Sequence, residues 1–382
     1  MTTNITLKKG KLYCGDCLDI MEQRLEPESV DLIYLDPPFF SNRNYEVIWG
    51  DDNEIRSFDD RWEGGIEVYV SWMGDRLRAC HRVLKPTGSI YLHCDWHASH
   101  YLKVRMDEIF GMKNFLNNCI WEYGLGGSSN RYWPRKHDEI LWYSKTPDKH
   151  FFDPPMVEAT SNAMKGKLKK MVDVWPIPSI NNMAKERLGY PTQKPEALLD
   201  LILTSSSRPT DVVLDPFCGC GTTMAVANRL GRPWIGIDIS PTAIKTVLNR
   251  VKLGPSEVTV VGMPTSIPEL HALAPFEFQN WVVRERFNGV LGPKGGDKGI
   301  DGFSFLTHDP IQVKQSEGIG RNVVDNFSAA MRRLGKKKGY VVAFSFGKGA
   351  REEAAALKHR EGVQIELLTV EEILTKAPGD KT

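Results

Sequence analysis

The sequence predicts an α/β protein in two parts, a large sheet of mainly parallel strands and a smaller α/β domain behind it. Three observations carry this. Short apolar runs rich in Val, Ile and Leu recur at Val30–Leu35, Ser89–His93, Val212–Leu214 and Trp234–Ile237, as expected of strands covered on both faces. Segments of helical periodicity separate them, which is the alternation of a layered α/β fold. The length of 382 residues exceeds one typical domain, and Pro264, Pro268 and Pro275 mark a break in the pattern. The domains expected are 1–260, a linker over 261–275, and 276–382.

Composition narrows the class. With 41% hydrophobic, 25% charged and 10% aromatic residues the chain reads as globular, and a net charge of +1 requires any positive footprint to be local. No apolar run reaches membrane-crossing length, and Met1-Thr2-Thr3-Asn4 begins no signal peptide, so a cytoplasmic protein is expected. The seven cysteines are odd in number, and Cys14-x-x-Cys17 has no second pair or nearby histidines to complete a metal site, which favours reduced structural thiols.

Taken in order, residues 7–14 give a short strand, and Gly15-Asp16 precedes a helix from Cys17 to about Leu25. Asp16 suits either a helix cap or a contact to an adenosine ring at a strand end. Strand Val30–Leu35 then delivers Asp36-Pro37-Pro38-Phe39. The two prolines fix φ and remove two donors, holding a carboxylate, nearby carbonyls and a ring in one geometry. Such a loop suits a flat, amino-bearing ring; an ordinary strand-end turn is the competing reading. A polar, aromatic loop follows from Ser41 through Trp49, Phe58 and Trp62, suited to a lid or a base-contacting wall.

Tyr69–Val83 is helical, Leu84-Lys85-Pro86-Thr87-Gly88 is a turn, and Ser89–His93 is a strand after which His93, Asp95 and His97 line the same cleft. Residues 98–110 form a helix and Phe115–Trp121 a strand. Arg135 and Lys136 then form a basic approach to an apolar strand that begins at about Ile140. From 146 to 190 the pattern loosens around Lys165, Lys167, Lys169 and Lys170, either a solvated surface or a DNA-contacting insertion.

Gln193-Lys194-Pro195 opens a helix over 196–206, which leads to the strand ending in Asp215-Pro216-Phe217-Cys218-Gly219-Cys220-Gly221. Gly219 and Gly221 allow close backbone approach, and a helix starting at Thr222 offers donors to a carboxylate. The loop lacks the lysine of a phosphate-binding loop and the spacing of a dinucleotide fingerprint. Asp238 ends the next strand nineteen residues after Gly219, where an acid can hold ribose hydroxyls. A nucleoside-bearing cofactor is the reading this pair supports.

These motifs, in this order, resemble the DNA amino-methyltransferases in their beta arrangement, over about two-thirds of the chain. The resemblance implies a Rossmann-like S-adenosylmethionine-dependent methyltransferase sheet. It makes Asp36, Pro37, Pro38 and Phe39 the catalytic motif, with a target-recognition insertion between about 145 and 185. It assigns Asp16 to the adenine, Asp238 to the ribose, and Lys194 with Asp215, Phe217, Cys218, Gly219, Cys220, Gly221 and Thr222 to the rest of the cofactor. The implied partner is double-stranded DNA with a flipped target base, and a homodimer is compatible with the family. Aspartate at position 36 favours adenine N6 over cytosine N4.

In the last hundred residues, a helix from Glu277 to Phe287 precedes a glycine-rich stretch. A hairpin is expected over 300–306 and 311–316 with its turn at Thr307–Pro310, then a basic run from Arg332 to Lys338, the strand Tyr340–Phe344, and a closing strand and helix. Pairing would bring Asp301 to the Gln312/Lys314 face, a donor set suited to Mg2+-assisted phosphodiester hydrolysis. This resembles Mrr-like restriction endonucleases, which implies a restriction-endonuclease-like fold with Glu277, Asp301 and Gln312 as metal ligands and Lys314 as the catalytic lysine. Four functions follow as expectations: an adenine-N6 DNA methyltransferase first, a cytosine-N4 enzyme, a combined modification and cleavage protein, or a DNA-binding module without turnover.

Overall fold

The computed structural model describes residues 9–40, 65–124, 129–159, 165–181, 183–184, 186–188, 192–254, 256–287, 289–292, 299–304 and 307–375. The aromatic loop expected from Ser41 to Trp62 lies outside the described residues. Contacts divide the chain into two compact units that meet in sequence between Met263 and Pro264.

In the first unit the strands are β1 (Gly10–Cys14), β2 (Val30–Leu35), β3 (Leu84–Cys94), β4 (Phe115–Glu122), β5 (His137–Ser144), β6 (Met156–Glu158), β7 (Leu168–Lys170), β8 (Val174–Pro176), β9 (Val213–Asp215), β10 (Trp234–Asp238) and β11 (Val258–Val261). A nine-stranded sheet runs in the order β11-β1-β10-β9-β2-β3-β5-β4-β8, and β6 pairs with β7 apart from it. From β11 to β3 every pairing is parallel; β5 runs antiparallel to both of its neighbours, β3 and β4. Parallel strands need crossovers, and the helices that supply them bury both faces of the sheet.

Helices α1 (Cys17–Arg24), α2 (Ile66–Val83) and α3 (Ser99–Phe110) cover one face. Met21, Met73, Leu77, Leu102 and Met106 pack there on Ile33, Leu35, Ile90 and Leu92. Helices α4 (Glu196–Ser206), α5 (Thr222–Arg229) and α6 (Pro241–Val251) cover the other. Leu198, Ile202, Met224 and Val247 meet Leu12, Leu32, Tyr34 and Val213. Alternation along β2 thus sends Leu32 and Tyr34 to one layer and Ile33 and Leu35 to the other, which is why the strand reads as one continuous apolar run. Local chemistry sets the helix starts: Asp16 accepts from Leu18 N–H at 2.8 Å, and Ser240 caps α6 ahead of Pro241.

The second unit opens with α7 (Ile267–Ala272), started by a reciprocal Ser266/Glu269 capping box inside the stretch expected as linker. The expected helix from Glu277 to Phe287 is α8 (Pro275–Asn280) continued by a π-helical turn over Trp281–Arg286. Strands β12 (Val290–Leu291), β13 (Gly302–Phe303), β14 (Pro310–Lys314), β15 (Lys338–Ala343) and β16 (Gln364–Thr369) form a sheet in sequential order, antiparallel to β14 and parallel beyond. The expected hairpin is β13/β14, beyond which Ser304 N–H donates to the Asp309 carbonyl at 2.9 Å and the Ser304 hydroxyl accepts from Asp309 N–H at 3.0 Å; residues 305 and 306 of the expected first strand lie outside the described residues. Helices α9 (Arg321–Arg333) and α10 (Lys348–Glu361) bury Phe327, Met331, Ala350 and Leu357 on Val341 and Ala343. Phe278, Trp281, Val282 and α11 (Val370–Thr375) cover Tyr340 and Val342 on the opposite face. Among the described residues, no helix is long and apolar enough to cross a membrane.

Candidate active site

Four adjacent parallel strands carry the acids singled out in the sequence. In sheet order β1, β10, β9 and β2 end at or just before Asp16, Asp238, Asp215 and Asp36. Cys14 pairs with Asp238 and Gly236 with Asp215, so the row is set by backbone register. Ligands of open α/β sheets bind along this carboxyl edge.

Each acid has a defined partner. Asp16 caps α1 through Oδ1, while its Oδ2 accepts from Arg76 Nη2 at 2.6 Å. Arg76 is 5% exposed, and its guanidinium lies 3.9 Å over the Trp72 ring. Trp72 in turn stands 5.9 Å from Phe217, so Asp16 and the glycine loop are joined through two rings. Asp238 accepts from Gly219 N–H at 2.8 Å and from Ser240 N–H at 2.9 Å, fixing the turn against β10. Burial raises the Asp238 carboxyl, and those two bonds pull against it.

The turn itself needs glycine. Gly219 and Gly221 take φ of +46° and +76°, and a Cβ at Gly221 would stand 2.7 Å from Val247 Cγ2. Cys218 and Cys220 are buried free thiols that burial pushes up. They line the loop as small apolar side chains. Thr222 opens α5; its hydroxyl accepts from Arg250 Nη1 at 3.0 Å and donates to the Lys194 carbonyl at 3.2 Å. Arg250 also holds Glu196 at 2.8 Å, tying the start of α4 to the glycine loop.

Asp36 pairs with Lys194, their side chains 17% and 12% exposed. The ammonium lies 5.2 Å from the centre of the Phe39 ring. Lys194, expected at the cofactor, thus reaches Asp36 with its ammonium, while its carbonyl accepts from Thr222 at the glycine turn. Behind Phe39 is a buried polar chain that motif reading did not assemble. Phe39 stands 5.7 Å from the His93 ring, whose Nδ1 is 2.8 Å from Tyr34 Oη and whose Nε2 is 3.1 Å from Asp138 Oδ2. Tyr123 donates to Asp138 Oδ1 at 3.1 Å. Burial pulls the Asp138 carboxyl up, but His93, with Lys194 and Tyr123, holds it below its ordinary value. An ionised Asp138 only accepts, so His93 Nε2 carries the hydrogen and Nδ1 accepts from Tyr34. Burial and the charges of Asp36, Asp215 and Asp138 raise Tyr34 and keep it a donor. No single stretch displays this chain; its signal was a polar histidine inside an apolar strand.

In the second unit, Gly302 pairs with Ile311, and Asp301 N–H donates to the Ile311 carbonyl at 2.8 Å. That register sets Asp301 beside Gln312, and Val313 N–H donates to Asp301 Oδ2 at 2.7 Å. Gln312 is 3% exposed, and its Oε1 has no hydrogen-bond partner among the described residues. Lys314 follows on the same face of β14. Among the described residues no three His, Cys, Asp or Glu side chains gather as a metal site.

The comparisons agree with this division. A family model described as DNA methylase matches residues 30–249, and one described as restriction endonuclease matches residues 272–376. The Type II methyltransferase M.HpaI of Haemophilus parainfluenzae is 32% identical over 248 residues, 63% of this chain and 74% of its own length. The DNA adenine methyltransferase YhdJ of Escherichia coli is 31% identical over 253 residues, 62% of this chain and 81% of its own. Among solved structures, the cytosine-N4-specific PvuII DNA methyltransferase is 19% identical, with a TM-score of 0.47 over 64% of this chain and 87% of that one.

Proposed function

The chain belongs to the DNA methylase family, and on that premise we propose that it methylates adenine N6 at a specific site in double-stranded DNA, with S-adenosylmethionine as donor. The observation that carries this reading is the pairing of β2 with β9, which sets the Asp36–Phe39 loop next to the Asp215–Gly221 loop.

The donor set fits the cofactor: strand-end acids at Asp16 and Asp238 for a nucleoside, and a glycine turn opening a helix for a carboxylate tail. When bound, the cofactor supplies a methyl group on a sulfonium. The chain's own residues do the rest. An exocyclic amine is a poor nucleophile because its lone pair is delocalised into the ring. Asp36 and the Pro37 carbonyl accept its two hydrogens, localise the pair on nitrogen and aim it in line. Phe39 stacks on the flipped base, backed by His93. Lys194 engages Oδ2 of Asp36, which leaves Oδ1 to receive the amine, and after the methyl arrives nitrogen gives one proton to Oδ1, which releases it to water as product leaves.

Labelled-methyl transfer to unmodified DNA followed by nucleoside analysis tests this. Label is expected in N6-methyldeoxyadenosine, and Asp36→Ala should cut the rate about 100- to 1,000-fold with cofactor binding kept. Label in N4-methyldeoxycytidine replaces the base assignment, and no incorporation on diverse DNA overturns catalysis.

The partnerless oxygen of Gln312 favours a second reading for the Mrr-like residues 272–376. With Asp301 and Glu277 it would hold Mg2+, which supplies Lewis-acid activation of a phosphodiester, and Lys314 would orient the attacking water.

A further inference from the structure

The segment leading into β5 carries rings and charge that methyl transfer does not use. Tyr132 is 56% and Trp133 92% exposed, between the exposed Arg131 and Arg135. Water-facing tryptophan forgoes the burial that a large ring ordinarily gains. The segment is nonetheless built. Buried Asp95 stands 2.6 Å from His97 Nδ1, and the His97 ring lies 3.7 Å from the Trp96 ring. The Arg135 guanidinium is 3.9 Å from the centre of Trp96 and 5.1 Å from that of Tyr132. None of the ion pairs found among the described residues engages Arg135. A guanidinium held between two rings keeps its edges for an anion, and its planar fork suits phosphate.

Register says where this stack stands. β3 runs parallel to β2, with Leu35 opposite Leu92, and β5 runs antiparallel to β3, with Cys94 opposite Glu139. The residues just after β3 and just before β5 therefore emerge at the edge of the sheet that carries Asp36. Asp138, two residues into β5, holds the histidine that backs Phe39.

A base that leaves a duplex leaves an unstacked gap, and apolar wedges fill such gaps in other DNA-bending proteins. We infer that Trp133 is the wedge that enters the duplex stack as the target base swings out, and that the Trp96–Arg135–Tyr132 stack grips the adjoining phosphate. The inference rests on the methyl-transfer reading and adds the surface by which the chain opens DNA. Arg131 and Lys136 lie in the same segment and match the polyanion in charge.

The test uses the full chain and a duplex containing its mapped methylation site. It measures label transfer and the fluorescence of 2-aminopurine at the target position. Trp133→Ala should lower kcat/KM on paired DNA roughly 10- to 100-fold and abolish the fluorescence rise, while Trp133→Phe keeps most of both. On a duplex with a mispaired target, where extrusion costs less, Trp133→Ala should recover to within a few-fold of the unaltered chain. That recovery also shows that the variant is folded. Arg135→Lys, which keeps charge but loses the stacked fork, should raise KM with little change in kcat. Transfer by Trp133→Ala at the unaltered rate on paired DNA overturns the wedge alone, as does an equal loss on paired and mispaired DNA. An unaltered chain that neither transfers label nor unstacks the target overturns both readings.

Discussion

Asp215 is where burial changes a single residue's chemistry most. Its Oδ1 accepts from Phe217 N–H at 3.0 Å and its Oδ2 from Thr223 Oγ1 at 2.6 Å, and the residue is buried. Burial raises its pKa to about 7 against these two bonds, helped by the charges of Asp36 and Asp238. The folded chain then keeps a proton that the unfolded chain releases near 3.8. The associated stability is complete below the unfolded value and is lost as pH rises through 7. Asp215→Asn keeps an acceptor for Phe217 and cannot ionise. Its urea midpoint should fall less than that of the unaltered chain between about pH 5 and about pH 8. Parallel slopes for the two proteins would show that Asp215 does not titrate in this window.

Among the elements, the strand–turn–helix of β9 and α5 depends most sharply on one backbone conformation. Gly221 sits at φ +76° with Val247 closing the space a side chain would need. Gly221→Ala should cost about 2–4 kcal/mol, combining left-handed strain with overpacking. Thermal melts should detect that loss, along with weakened cofactor binding. Adding Val247→Ala should relieve the steric share and leave the strain, whereas full recovery would show that φ is not the constraint. Motifs of this kind were legible in the sequence because strand, turn and helix start lie within a dozen residues and each residue type has one local reason. The same holds for Asp36–Phe39, for the Asp16 cap and for the alternation that divides β2 between two layers. The chain Tyr34–His93–Asp138–Tyr123 was not, because its members come from separate strands and meet only once register is set. The ion pair of Lys194 with Asp36 was hidden for the same reason, since it spans 158 positions.

At the scale of the whole molecule, each unit closes its own sheet between its own helices. The cores around Leu35 and Leu198 belong to the first, and those around Phe327 and Phe278 to the second. Among the described residues Asp36 pairs with Lys194 in the first unit and Asp301 accepts from Val313 N–H in the second, and changes at these acids should act independently. In the full chain, Asp301→Asn and Lys314→Ala should each abolish Mg2+-dependent cutting of unmethylated DNA while leaving methyl transfer within about two-fold. Asp36→Ala should do the reverse. Asparagine is the informative change at 301 because it keeps an oxygen for Val313 N–H while removing the charge a cation needs. An unaltered chain that does not cut with Mg2+ would overturn the nuclease reading and leave the second unit as a DNA grip. In that case Arg332, Arg333, Lys336, Lys337 and Lys338 should carry a salt-dependent share of affinity, and replacing any two of them should flatten the slope of log K against log salt by about two.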